Sequence, residues 1–197
     1  TAINGQFEVL RSISESLNQQ PDLDADALNA WLAEVAAATS MSKFRLIRPD
    51  GTLIDSTEST SFWDRGYFQR SLRGENAMEH VVGRLTGENV VMLSEPRVFR
   101  GEIIGVISGL FYREQLSELI TSQVYRGAGN SCILDGSGDI IVDAQREPTF
   151  GGAANVLAAL QGVTFRDGSS LGRLRECLAA GQSLTLRYLY DGSFHVA

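Results

Sequence analysis

The chain has 197 residues, with 17 Lys and Arg against 24 Asp and Glu and a formal net charge of -7. At 43% hydrophobic and 21% charged residues, with 20 Gly and 4 Pro, it has the makeup of a globular protein, which excludes a disordered or collagen-like chain. The acidic balance argues against a nucleic-acid partner, which needs a basic patch to neutralise phosphates, and against electrostatic docking on an anionic membrane.

Cys132 and Cys177 are the only cysteines, too few for a metal knuckle, and are read as free buried thiols more readily than as a disulfide. No apolar run approaches the ~20 residues of a membrane-spanning helix. The longest, 103–112, is interrupted by Gly105, Ser108 and Gly109. Asn4, Gln6, Glu8 and Arg11 break up any signal-peptide core at the start. The chain therefore reads either as cytosolic or as an excised soluble part of a larger protein.

The first predicted element is a helix. Ile3, Leu10 and Leu17 recur at sevenfold spacing, with Phe7 and Ile13 widening the stripe. Such a seam suits a helix partner in a second copy, and equally a face packed on its own domain. A second helix follows Pro21, capped by Asp22 or Asp24, with Leu28, Trp31, Leu32 and Val35 on its buried side, and ends near Ser40.

The period then changes from 3.6 to 2. Residues 44–48 predict a strand, Pro49-Asp50-Gly51 a turn and 52–55 the return strand. A short helix over 64–73 stops at Gly74. Strands are predicted at 78–82, 90–99 and 102–111, the last two joined tightly at Arg100-Gly101, and a helix over 112–125. The pattern then begins again: strand 132–134, turn Gly136-Ser137-Gly138, strand 139–142. At one constant offset Leu46 falls on Ile133, Gly51 on Gly138 and Leu53 on Ile140. Helical stretches at 155–160 and 171–180 and strands at 183–190 and 193–196 complete the second unit. The fold class is thus α+β: a long N-terminal helix, then two PAS-like antiparallel-sheet units, the second smaller and cut off inside its meander.

This order, together with the segments Phe62 to Gly74, Arg97 to Gly109 and Cys132 to Ile141, resembles the double Cache (dCache) sensor family over nearly the whole chain. The resemblance implies a helical stalk over 1–40 and a membrane-distal ligand-binding unit over 41–112. A linking helix over 113–129 and a membrane-proximal unit over 130–197 follow. It implies an extracytoplasmic portion of a dimeric transmembrane receptor, anchored by spans outside this chain. The output would be a diguanylate cyclase, a histidine kinase or a chemotaxis module, with the N-terminal helix pairing with its twin. No enzyme activity, cofactor or metal is expected.

The candidate ligand site begins at Trp63, Arg65, Tyr67 and Phe68, where flat apolar faces adjoin one planar guanidinium suited to a carboxylate or phosphate. The same pattern fits core aromatics beside a surface cation. In the amino-acid-binding branch of the family an Arg-x-aromatic-aromatic motif maps on Arg65, Tyr67 and Phe68. A tyrosine falls near Arg84, and the aspartate that holds a ligand ammonium falls near Leu110. Strand alternation puts Ser108 on the face of Leu110. With Leu in place of that carboxylate, the expectation is a small-molecule ligand other than an ordinary α-amino acid, an anion such as a small carboxylate.

Other signals are weaker. Gly168-Ser169-Ser170-Leu171-Gly172 matches a nucleophile elbow, and a serine hydrolase would use Ser170, Asp191 and His195, but no parallel β-α-β run precedes it. The acidic turn at 135–139 lacks the glycine and glutamate of a calcium loop. His80 and His195 have no partner at ligand spacing. A cytosolic PAS-like interaction module is the third reading.

Overall fold

The computed structural model describes residues 2–19, 24–54, 60–120, 131–143, 150–190 and 192–196. The chain divides into two compact units, residues 1–119 and 120–197.

In the first unit, helix α1 (Ala2–Asn18) and helix α2 (Ala25–Ala37) precede strand β1 (Lys43–Ile47). Helix α3 (Gly66–Leu72), strands β2 (Ala77–Val82), β3 (Asn89–Phe99) and β4 (Glu102–Tyr112), and helix α4 (Arg113–Ile120) follow. The strands form one antiparallel sheet in the order β1-β4-β3-β2. Two facing layers follow from period-2 alternation. Gly109 of β4 looks at Leu10 of α1 and at Met41; a side chain there would collide with Met41. Leu10, Ile13 and Leu17 of the heptad stripe are therefore buried on the sheet of their own unit, on the β3 and β4 side. Each such side chain contributes roughly 1.5–3 kcal/mol. Ile3 and Phe7, one to two turns earlier, are only half-buried.

The opposite face carries α3. Its Tyr67 and Phe68 join Ile47, Leu53, Phe62, Ala77, Val90, Met92 and Val106 in one core. The hydroxyls of Ser71 and Ser94 lie 2.8 Å apart and tie α3 to β3. Of the two candidate caps for α2, Asp24 accepts from the Ala27 amide at 2.8 Å; Asp22 lies outside the described residues.

In the second unit, strands β5 (Cys132–Leu134) and β6 (Ile140–Asp143) pair as a hairpin. Helix α5 (Val156–Ala159), strand β7 (Thr164–Arg166), helix α6 (Leu171–Ala180) and strands β8 (Arg187–Tyr190) and β9 (Ser193–Val196) follow. Strands β7, β8 and β9 form a second small sheet. The core is Phe150, Val156, Leu160, Leu174, Leu186 and Tyr188. Both cysteines are free thiols and only half-buried.

The sequence repeat is a repeat of hydrogen bonds. In the first unit the Arg48 amide donates to Thr52 O (2.7 Å) and the Phe62 amide to Gly51 O (2.8 Å). In the second the Asp135 amide donates to Asp139 O (3.0 Å) and the Val156 amide to Gly138 O (2.8 Å). Gly51 and Gly138 hold φ of 85° and 87°, a conformation that a β-carbon opposes. The predicted return strand of the first hairpin is reduced to the bridges Ile47–Leu53 and Thr52–Ser61. Asp55, residues 121–129 of the predicted linking helix, and Asp191 lie outside the described residues. Among the described residues no helix is long and apolar enough to cross a membrane.

Candidate ligand site in the first unit

The register of the sheet sets the floor of the site. Lys43 pairs with Leu110, Leu110 with Met92, and Met92 with Glu79, so these four side chains form one row on the α3 face. The next row is Arg45, Ser108, Ser94 and Ala77. Arg45, Lys43, Leu110, Met92 and Val81 floor a cavity of about 120 Å³, several times the ~10–15 Å³ that one water needs. Phe62, Arg65 and Tyr67 wall it from the α3 side, and Gly83, Arg84, Leu85 and Thr86 of the β2–β3 connection, with Val82 at the end of β2, form a strap across it.

Four cations thus border an apolar chamber, and among the described residues no carboxylate lines it. Tyr67 is 2% exposed. Burial pushes its phenol up to about 12, so it stays protonated and able to donate. Lys43 and Arg45 also border a larger hollow of about 530 Å³ beside α2, where Ala33, Ala36 and Ala37 leave space. Only the first cavity joins aromatic walls to four cations, the arrangement expected of a small-molecule site.

Arginines in and around the first site do structural work as well. Arg65 donates from Nη2 to the Val82 carbonyl at 3.0 Å, and Arg70 from Nη2 to the Met78 carbonyl at 2.9 Å. Both carbonyls belong to β2, an edge strand, so the two side chains satisfy groups that a foreign strand would otherwise pair with. Arg84 reaches from the strap to Asp64 and to the Ser61 carbonyl.

Of the residues expected from sequence, Arg65, Tyr67, Arg84 and Leu110 meet at this cavity. Phe68 is fully buried in the core below α3. Trp63 is 55% exposed, its ring edge-on to Phe68 with centroids 6.2 Å apart, and does not line the cavity. Ser108 lies fully buried on the same face, with no hydrogen-bond partner for its hydroxyl among the described residues. Sequence reasoning missed Lys43, Arg45, Phe62, Met92 and the strap. The alternation of Lys43, Arg45 and Ile47 along β1 was the available signal, since it sets two cations on the face of an apolar residue. In the second unit, Ser170 caps α6 by accepting from the Arg173 amide at 3.1 Å, and His195 stacks on Tyr188 with centroids 5.5 Å apart.

No protein-family model matches the sequence, and no curated protein matches it significantly. Solved structures do match. The ligand-binding domain of the Pseudomonas fluorescens chemoreceptor CtaA, in complex with L-serine, superposes with a TM-score of 0.65 at 13% identity, over 98% of this chain and 79% of that one. The ligand-binding domain of the Pseudomonas aeruginosa amino acid chemoreceptor PctB, in complex with L-Arg, gives 0.63 at 15% identity, over 98% and 78%. The sensor domain of the V. cholerae histidine kinase DctB gives 0.52 at 15% identity, over 94% and 74%. The fold of this chain is that of these ligand-binding and sensor domains.

One expectation is corrected here. The ligand was to be something other than an ordinary α-amino acid, yet domains of this fold are seen with L-serine, L-alanine, L-leucine and L-Arg. The exclusion rested on one side chain, Leu110. An ammonium offers three donors and is met equally by carbonyl oxygens or by a carboxylate elsewhere. In the same cross-strand row as Leu110 stands Glu79, whose Oε2 lies 3.8 Å from Arg70 Nη2 and which does not line the cavity.

Proposed function

We propose that this chain is the extracytoplasmic ligand-binding portion of a transmembrane signalling receptor and that its first unit senses a small carboxylate-bearing metabolite, amino acids included. The observation that carries the reading is the cavity on the α3 face, an apolar floor ringed by Lys43, Arg45, Arg65 and Arg84 with the protonated Tyr67 beside them. Cations recognise a carboxylate by charge-assisted hydrogen bonds, and the guanidinium fork adds direction. Met92, Leu110 and Val81 would hold the apolar remainder of the ligand. The Cache-type fold supports a sensor role, because the similar structures are sensor domains of chemoreceptors and a histidine kinase.

The mechanism that suits such a domain needs no chemistry. A ligand shifts an equilibrium between arrangements of the protein in proportion to its differential affinity for them. The strap over the cavity, joined to β2 and β3 at its two ends, is the element a bound molecule would touch first. The output partner is a chemotaxis module, a histidine kinase or a diguanylate cyclase.

The test is calorimetric titration against a panel of L-amino acids and small mono- and dicarboxylates. At least one is expected to bind saturably and to raise the melting temperature. Combined Lys43→Ala and Arg45→Ala substitution is expected to weaken that binding at least tenfold, roughly the effect of losing one charge-assisted hydrogen bond. Absence of saturable binding across the panel would refute the reading.

A further inference from the structure

Arg84 forms part of the cavity wall, yet its charge is already engaged. Its Nη2 donates to both carboxylate oxygens of Asp64, at 2.9 and 2.6 Å, and its Nη1 donates to the Ser61 carbonyl. The guanidinium stands over the Phe62 ring, 5.9 Å from the centroid. Asp64 itself stays at the rim: its side chain is 65% exposed against 31% for Arg84, and it is not among the lining residues. The other lining cations, Lys43, Arg45 and Arg65, come from β1 and from the residue preceding α3.

Resting on the carboxylate-sensing reading above, we propose that Asp64 is a specificity-determining residue: as the resident counter-ion of Arg84, it admits ligands with one carboxylate and rejects a second. A first carboxylate held by the Arg65 guanidinium leaves this ion pair in place. A second one that extends to Arg84 must either displace Asp64 from two charge-assisted hydrogen bonds or lie beside its negative charge. Both alternatives cost affinity, and a monocarboxylate, amino acids included, meets neither. This is discrimination by a built-in repulsion as well as by attraction. The same hydrogen bonds hold the Asp64 carboxyl below the usual carboxylate range, so the counter-ion stays charged at neutral pH.

Calorimetric titration of the full chain with L-alanine, acetate and succinate tests this, in the wild type, in Asp64→Asn, and in Asp64→Asn combined with Arg84→Gln. Asparagine keeps the shape of an exposed side chain, and an unchanged melting curve confirms the fold. The wild type is expected to prefer L-alanine or acetate to succinate. Asp64→Asn is expected to raise succinate affinity at least about fivefold, with little change for the monocarboxylates, and Arg84→Gln in that background to remove the gain. Unchanged or weaker succinate binding in Asp64→Asn overturns the proposal. So does an equal gain for all three probes, or a gain that survives Arg84→Gln. If the wild type binds L-alanine or acetate while Asp64→Asn gains nothing, this inference falls and the carboxylate reading stands. If neither protein binds any of the three, this inference falls, and the wider panel decides the carboxylate reading.

Discussion

Glu95 is a carboxylate on the α1 face of β3, only 5% exposed. Arg11 of α1 donates to its Oε1 from Nε at 2.8 Å, while Oε2 is buried with no hydrogen-bond partner among the described residues. Burial holds the Glu95 carboxyl above its usual range despite the opposing pull of Arg11, whose own proton Glu95 holds more tightly. The lost hydration of the carboxylate thus outweighs the attraction of a partner that is itself 46% exposed. The sign of the consequence follows from linkage. A carboxyl raised above glutamate's ordinary 4.5 binds its proton more tightly folded than unfolded. Its contribution to stability is therefore fully present below 4.5 and is lost as pH rises through the folded value. Urea unfolding of the wild type and of Glu95→Gln across this range checks it. The wild type is expected to lose stability relative to the variant as pH rises from 4.5 toward neutrality. A difference that does not vary with pH would show that burial and the pair cancel, and a wild type that gains stability as pH rises would show that the pair governs this carboxyl.

At the scale of elements, the pairing of β4 with β1 depends on a residue without a side chain. Gly105 has φ 150°, and a β-carbon there would stand 2.5 Å from the Ile47 carbonyl oxygen, beside the register shift at Arg97 and Val98. Backbone cannot yield as a flexible side chain does. Gly105→Ala is expected to destabilise the chain by roughly 2–4 kcal/mol, read as a lower melting temperature. Gly5 of α1 is the contrasting case: a methyl group on its α-carbon would meet nothing within 4 Å. Gly5→Ala is expected to stabilise by up to about 1 kcal/mol through helix propensity alone. The strands of this sheet were legible because their alternation runs long enough to register a period of two. Strand β7, with three residues, was not, since so short a segment shows no period and, unlike the equally short β5, it is not marked by the repeat of the first hairpin. The site divides in the same way. The aromatic and guanidinium group around Arg65 and Tyr67 is contiguous and could be seen in the sequence. Lys43 and Arg45 reach the site only because β1 pairs with β4 at Lys43–Leu110, and Arg84 is tied to Asp64 only through the strap. Register and loop closure are set by packing across distant segments, which a local pattern does not encode.

At the scale of the molecule, two copies of one turn recur, one in each compact unit, and each copy is pinned by a different aspartate. In the first, Asp50 Oδ1 accepts from the Thr52 amide at 2.9 Å and from its hydroxyl at 2.7 Å. In the second, Asp135 Oδ1 accepts from the amides of Ser137 and Asp139, each at 2.9 Å. The acid has moved from the turn to the strand end while the backbone bonds it supports are the same. The turn geometry is therefore set by the backbone and the glycine, and the side chain is an interchangeable clip. If the units open independently, removing one clip loosens only its own turn. Asp50→Ala is expected to speed hydrogen exchange at the Thr52 amide several-fold and to leave Ser137 and Asp139 unchanged. Asp135→Ala is expected to do the converse. Acceleration of both turns by either substitution would mean that the two compact units open as one cooperative body, and a ligand held in the first would then stabilise the second by the same mass action.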